Sequence, residues 1–342
     1  MLRLGEERRY PSSMASRIAV GIAGTGSYVP ERVVKNAYFE RLVDTSDEWI
    51  VQRTGIEERR FAADDQATSD LALEASKRAL EAAGVKPEEL DLIVLGTLTP
   101  DYLLPSTACL VQDRLGATKA GAFDVNAACT GFLTALHTGE AFIASGRARR
   151  VLVIGAEKLT SFVDFTDRSS CVIFGDAAGA AVLTPLDECG QGEILRTTLG
   201  ADGKGYDFIH MPGGGSRKPP TQETLEKREH FIRMRGRDVF RFAVTYMGEM
   251  VREMMAGYSP DEIALVVPHQ VNKRIIEAAL ERLDIPPEKV VVNIEKYGNS
   301  SAATVPLALD EAVRAGRIEK GKLVVLVAFG AGLTWGGTLL RW

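Results

Sequence analysis

The sequence predicts an α/β protein built from two related halves, and three observations carry that expectation. Short apolar runs alternate with helical patterns along all 342 residues, the pattern of strands covered by helices. Segments of the first half recur in order in the second: PEELDLIVLG (87–96) resembles PDEIALVVPH (260–269), SGRARRVLVI (145–154) resembles AGRIEKGKLVVLV (315–327), and FGDAAGAAVL (174–183) resembles FGAGLTWGGTLL (329–340). One such match is weak, but three in register point to an internal duplication with a boundary near residue 190. The composition, 45% hydrophobic and 25% charged, is that of a globular chain long enough for a large core or two domain-sized units.

The elements follow in order. Strands are expected at 18–23, 91–96, 121–126, 150–155, 178–184, 193–198, 263–267, 289–294, 322–328 and 335–341. Helices are expected at 68–83, 106–115, 130–145, 236–256, 271–283 and 301–315. TSDLALEASKRALEAAG illustrates the logic: Thr68 or Ser69 can cap it, apolar residues recur at three and four, and Gly84 can end it. Strands alternating with helices imply a largely parallel central sheet. The stretch 200–230, rich in Gly, Pro and charge, is long for a loop and reads as a lid or as disordered surface. Residues 1–16 are expected to be a disordered extension, because patterned sequence starts only after Met14.

The bulk numbers exclude several classes. A net charge of −5 gives no reason to expect nucleic acid as a partner. No apolar run is long enough to span a membrane, and the N-terminus carries no apolar signal core. The four cysteines, 109, 129, 171 and 189, lack zinc-site spacing and are too sparse for a disulfide scaffold. A reducing, cytoplasmic location is the simplest expectation, with no metal and no cofactor.

NAACTGF at 126–132 places Cys129 where an apolar strand gives way to a helix that is apolar nearly all round, TGFLTALHTGEAFIASG. Such a helix is expected at the centre of the protein. A thiol at its N-terminus faces unpaired N–H groups and the positive end of the dipole, which lowers its pKa. Position alone leaves an inert core cysteine as the commoner alternative. Cys109, Cys171 and Cys189 lack this context and read as structural.

Among the histidines, His137 lies on the same helix about 12 Å along the axis and cannot serve Cys129. His230 reads as surface, and His210 stays open. His269 ends an apolar strand, where ligands of α/β sheets collect. Cys129 precedes Gly146 by 17 residues, and 17 residues before the matching Gly316 stands Asn299. Asn299 is therefore expected to take the nucleophile's place in the second half, both helix N-termini to meet at one cavity, and His269 to lie at its rim. A thiolate accepts an acyl group, while neutral His and Asn can donate to an oxyanion or enolate. This set suits acyl transfer followed by carbanion chemistry beside a thioester.

From about residue 18 to the C-terminus the chain resembles the β-ketoacyl-acyl-carrier-protein synthase III family of the thiolase superfamily. The resemblance is carried by GTGSYVPE, TSDEWIVQRTGIEERR, DVNAACTGF, IFGDAAGAAVL, VPHQVNKRII, YGNSSAATVPLAL and FGAGLTWGGTLLRW. It implies a five-layered αβαβα thiolase-like fold with mixed central sheets, halves at 17–190 and 191–342, and a homodimer. It implies acyl-CoA and malonyl-acyl-carrier protein as substrates, acyl carrier protein as partner, and no cofactor. Cys129 would take the acyl group, His269 and Asn299 would stabilise the enolate, and the N–H groups of Cys129 and Ala331 would hold the oxyanion. The family commonly has Gly where Ala331 stands, which a backbone donor tolerates. By the same resemblance Thr45, Trp49, Arg53, Arg168 and Asn272 would line the CoA tunnel. Leu104 would shape an acyl pocket across the dimer interface, and Arg241 and Arg274 would receive the carrier protein.

The residues also admit three rival readings. Papain-like hydrolases also run Cys, His, Asn, but their cysteine sits near the mature N-terminus in a CGSCW-like context, unlike AACTG. GIAGTGSYV matches a dinucleotide fingerprint at Gly24 and Gly26 but has Val29 at the third position, so the glycines are expected to serve a tight turn. Other branches of the superfamily, including polyketide and quinolone starter-unit enzymes, share fold and nucleophile.

Overall fold

The computed structural model describes residues 17–283 and 285–342; the expected extension 1–16 lies outside the described residues. The first half runs β1 (Val20–Tyr28), β2 (Arg32–Lys35), α1 (Asp47–Thr54), β3 (Glu58–Phe61), α2 (Thr68–Ala83), β4 (Leu92–Gly96), α3 (Thr107–Leu115), β5 (Gly121–Val125), α4 (Gly131–Ala144), β6 (Val151–Glu157), α5 (Arg168–Cys171), β7 (Ala177–Pro185) and α6 (Leu186–Cys189). The second runs β8 (Glu193–Ala201), β9 (Ile209–His210), α7 (Gln222–Glu226), β10 (Arg233–Met234), α8 (Gly236–Met255), β11 (Ile263–Pro268), α9 (Lys273–Leu280), α10 (Ile294–Tyr297), α11 (Thr304–Arg314), β12 (Leu323–Gly330) and β13 (Thr334–Arg341).

Two large sheets form, in the orders β1-β7-β6-β4-β5 and β8-β13-β12-β11, beside the two-stranded pairs β2-β3 and β9-β10. The four strands of the second correspond to β1, β7, β6 and β4 of the first, and β5 has no counterpart strand. Val94 pairs with Val153 in one and Val267 with Leu326 in the other, and both separations (267 − 94 and 326 − 153) are 173. Each large sheet is mixed rather than largely parallel: β7 and β13 run antiparallel to both their neighbours. For β13 the cause is local, because three residues separate it from β12, and so short a link joins only antiparallel strands.

The strand expected at 289–294 is reduced to a single parallel bridge between Val290 and Val266. The Gln270 side chain takes the place of a ladder there. Its Nε2 donates to Val291 O at 2.9 Å and its Oε1 accepts from Asn293 N at 3.0 Å.

The apolar faces sort the layers. α4 and α11 lie between the sheets in one core with Leu133, Leu136, Val153, Val305, Leu309 and Leu326. α2 and α3 cover the outer face of the first sheet, and α8 and α9 that of the second. Gly24 and Gly26 sit inside β1, not in a tight turn. A Cβ on Gly26 would lie 2.3 Å from Ala79 N, so the glycines let the backbone of α2 rest on the strand. With no turn into a helix there, the dinucleotide reading falls. The cap of α2 is Ala67, one residue before the expected one, and the Asp70 carboxylate accepts from its N–H at 2.6 Å.

The 200–230 stretch is ordered. β9 pairs with β10, and Arg228 reaches Asp164 of the first half through two hydrogen bonds. Among the described residues no helix is long and apolar enough to cross a membrane, and no cluster of His, Cys, Asp and Glu could hold a metal ion.

Candidate active site

Two matching turns meet at the centre. Cys129 lies in the 3-10 turn Ala128–Thr130 that feeds α4, and its counterpart is the 3-10 turn Ser301–Ala303 that feeds α11. Each turn opens on a non-glycine residue with φ of 48°, Ala128 in one and Ser301 in the other, a strained backbone held by its surroundings. An asparagine precedes each: Asn126 Oδ1 accepts from Ala128 N at 3.5 Å, and Asn299 Oδ1 from Ser301 N at 2.8 Å.

The structural equivalent of Cys129 is thus Ala302, and that of Asn299 is Asn126. The count back from Gly316 slipped by three because α11 has 11 residues where α4 has 14. The turns nonetheless touch. A Cβ on Gly131 would meet Ala302 Cβ at 3.1 Å, and a Cβ on Gly155 would meet Ala302 O at 2.3 Å.

His269 follows β11, with its N–H on Val327 O at 2.8 Å. It is fully buried rather than at a rim. Nδ1 lies 2.6 Å from Thr304 Oγ1, which itself donates to Ser301 O at 2.9 Å, while Nε2 has no partner among the described residues. Burial lowers the pKa to about 3, so the imidazole is neutral. The Asn299 oxygen is spent on Ser301 N, which leaves its amide N–H groups to donate elsewhere. The second-half turn thus anchors Asn299 and, through Thr304, His269, and it packs against the turn that carries Cys129.

The expected low thiol pKa is corrected. Burial pushes Cys129 up to about 12; the Ser301 hydroxyl lowers it in part and the Glu157 charge raises it further. Desolvation of an anion at the centre of the fold outweighs the helix N-terminus.

Glu157 was missed by sequence reasoning. Its signal was a carboxylate ending the otherwise apolar strand VLVIGAE. It is fully buried and accepts from Thr99 Oγ1 at 2.6 Å, Thr97 Oγ1 at 3.0 Å, and the N–H groups of Leu98 and Thr99 at 3.2 Å. Burial raises its pKa to about 7, against those donors and Ser301.

The end of β12 presses on the nucleophile turn: a Cβ on Gly330 would lie 2.8 Å from Cys129 N. This brings the neighbouring Ala331 N–H into the same region. Among the described residues, neither N–H donates to the backbone of another turn or loop.

The expected CoA residues gather at one place. The Trp49 ring has the Arg168 guanidinium at 4.9 Å and that of Arg53 at 5.6 Å. Arg168 also donates to Asp44 O at 2.8 Å, beside Thr45, whose Oγ1 is buried without a partner. Asn272 caps α9 and donates to Arg53 O at 2.9 Å, joining the halves there.

Leu104 is 86% exposed, so it does not line a cavity of its own chain. Arg241 on α8 and Arg274 on α9 are exposed, and Arg241 pairs with Asp238 at 3.0 Å. All four cysteines are free; Cys171 is buried, but Cys109 is exposed rather than part of the core. His210 packs on Tyr206, with ring centroids 6.4 Å apart, and belongs to the 200–230 stretch.

Comparison with known proteins gives the family and the fold. Residues 123–203 match the family profile of 3-oxoacyl-[acyl-carrier-protein] synthase III, and residues 254–342 match the profile of its C-terminal part. The β-ketoacyl-[acyl-carrier-protein] synthase III of Caldanaerobacter subterraneus is 53% identical over 331 residues, 96% of this chain and 99% of its own. The crystal structure of the 3-oxoacyl-[acyl-carrier-protein] synthase III from Aquifex aeolicus superposes with a TM-score of 0.87 at 49% identity, covering 94% of this chain and 100% of that one. The priming β-ketosynthase of the R1128 polyketide pathway superposes at 0.86 with 38% identity, covering 97% and 99%. The chain belongs to the 3-oxoacyl-[acyl-carrier-protein] synthase III family of thiolase-fold acyltransferases, the condensing enzymes that initiate fatty acid synthesis.

Proposed function

We propose that Cys129 takes an acyl group from acyl-CoA and that the acyl-enzyme then condenses with malonyl-acyl-carrier protein. In the first half-reaction Cys129 Sγ bonds to the acyl carbon and CoA leaves. In the second, the malonyl group loses carbon dioxide, and the resulting carbanion attacks the acyl-cysteine to give 3-oxoacyl-acyl-carrier protein.

The observation that carries this reading is the packing of the turn that holds Cys129 against the turn 299–304. That turn anchors Asn299 and, through Thr304, His269. His269 and Asn299 donate to the thioester enolate, and the N–H groups of Cys129 and Ala331 hold the acyl-transfer oxyanion.

Trp49, flanked by Arg53 and Arg168, supplies a stacking face and positive charge for a nucleotide with phosphates, with Thr45 and Asn272 beside them. Arg241 and Arg274 are the docking charges for the acidic carrier protein. The exposure of Leu104 fits a side chain donated to a partner's acyl pocket, so the working unit is a cytoplasmic homodimer. Residues 17–190 carry the nucleophile, and residues 191–342 carry His269 and Asn299.

A specialised starter-unit role in polyketide synthesis is the second reading, favoured by the 38% identity to a priming β-ketosynthase. Incubation with a panel of acyl-CoAs, read by intact mass, tests the scheme. One acyl adduct is expected on the wild type and none on Cys129→Ala. The substrate that loads fastest separates the two roles.

A further inference from the structure

The small pair β2-β3 lies outside both large sheets, and it carries a positive charge into the core. Val34 of β2 pairs with Arg59 of β3, and Arg59 is fully buried. Its guanidinium donates to oxygens that bear no charge. Nη1 reaches Asn36 Oδ1 at 2.7 Å and Val34 O at 3.4 Å, and Nη2 reaches Val172 O at 2.6 Å. The Phe39 ring lies 4.5 Å from the guanidinium carbon. Burial lowers the Arg59 pKa to about 10, which leaves the group a cation at neutral pH. Apolar side chains of the same volume often hold a core together as well as a buried charge or better. What the guanidinium grips is therefore the informative point.

It grips two elements. Asn36, held by Nη1, is the link to α1. Its Nδ2 donates to Asp47 Oδ1 at the start of that helix and to Ile56 O just past its end, both at 2.8 Å. Nη2 closes the C-terminal end of α5 at Val172 O, where a cation is favoured. Helix α1 carries Trp49 and Arg53, and α5 opens with Arg168. The Trp49 ring and the Arg168 guanidinium, 4.9 Å apart, thus stand on two elements that share one buried anchor. Two other tethers, from Arg168 to Asp44 O and from Asn272 to Arg53 O, are exposed to competing water. The surrounding cluster of Phe39, Ile50, Phe61 and Val172 fills space without fixing direction, whereas a planar guanidinium fork fixes it.

We propose that Arg59 is a positioning residue for nucleotide recognition: its buried guanidinium sets the spacing of Trp49 and Arg168, and with it the affinity for the nucleotide end of an acyl-CoA. The inference deepens the reading of that pair as the CoA site and rests on it. Arg59 is sealed from substrate and takes no part in acyl transfer. Its loss frees α1 and α5 to shift independently, so base and phosphates meet a looser pair.

The test is steady-state condensation with an acyl-CoA and with the N-acetylcysteamine thioester of the same acyl group, which lacks the nucleotide. Arg59→Lys keeps the charge but replaces the fork with one ammonium, which cannot hold both supports in the same geometry. It should raise KM for acyl-CoA about tenfold, the scale of a lost hydrogen bond to a charged group, with kcat held within about twofold. On the nucleotide-free thioester it should match the wild type. Asn36→Asp keeps an oxygen for Arg59 and removes the donations to Asp47 and Ile56. It should act likewise, and it decides the matter if Arg59→Lys fails to fold. In a Trp49→Ala background Arg59→Lys should add nothing further to KM, because both changes act through the same ring. A folded Arg59→Lys with the wild-type KM for acyl-CoA, an equal defect on both thioesters, or a KM effect that adds fully to that of Trp49→Ala overturns the proposal. If Trp49→Ala by itself leaves KM for acyl-CoA unchanged, the CoA reading fails and the proposal falls with it.

Discussion

His269 Nδ1 lies 2.6 Å from the Thr304 hydroxyl, and that hydroxyl also faces Ser301 O at 2.9 Å. One hydroxyl proton cannot serve both. When it points to Ser301 O, Nδ1 must carry the imidazole proton and Nε2 is a bare acceptor. When it points to Nδ1, Nε2 carries the proton and can donate to an enolate. In the proposed scheme, Thr304 sets which of the two neutral tautomers His269 holds.

Thr304→Val should leave acyl loading intact and slow condensation roughly tenfold to a hundredfold, and Thr304→Ser should restore it. Single-turnover assays of each half-reaction separate the two steps. Equal loss in both, or no rescue by serine, removes the tautomer role.

His269→Ala and Asn299→Ala should each still accept an acyl group. Each should lose about a hundredfold or more in condensation, because an oxyanion donor typically contributes that much. Wild-type condensation in either variant would falsify the donor assignment.

The buried carboxylate leaves a stability signature. The pKa of Glu157 is about 7 in the fold against 4.5 for a free side chain, so its contribution is fully present below about 4.5 and is lost as pH rises through 7. The shift corresponds to about 3 kcal/mol. Denaturant melts of wild type and Glu157→Gln at pH 5 and pH 8 should differ in pH dependence by roughly that amount. Parallel curves would place Glu157 in a less desolvated site.

Trp49→Ala should raise KM for acyl-CoA about tenfold with little change in kcat, since the ring offers binding but no chemistry. A short acyl thioester lacking the nucleotide is the control, on which variant and wild type should match. A shared defect on both substrates would move Trp49 from the nucleotide to the fold.

Gly26→Ala would push a methyl group into the backbone of α2, 2.3 Å from Ala79 N. Destabilisation of about 1–3 kcal/mol is expected in urea melts. An unchanged midpoint would mean that β1 and α2 separate at little cost.

Much of the architecture was legible in the chain because it is local. The helix at 68–83 follows from apolar spacing and a terminal glycine, and every expected strand but one formed with only its ends shifted. The exception, 289–294, was lost because a side chain more than twenty positions away, Gln270, took the hydrogen bonds a ladder would have used. Cys129 stood out by its place between strand and helix, and His269 by ending a strand.

What the sequence determined by itself was most of the long strands and helices, their repetition in the two halves and the family, since patterns of spacing and matching segments survive without a fold. Tertiary structure alone decided which groups share a dielectric environment. It set a thiol at a helix N-terminus, which local logic makes acidic, among buried surfaces that push it up to about 12. It also set Thr304 of the second half against His269 and buried Glu157 of the first half at the end of its strand. Burial and proximity arise only when distant segments pack, and no periodicity in the chain encodes them directly.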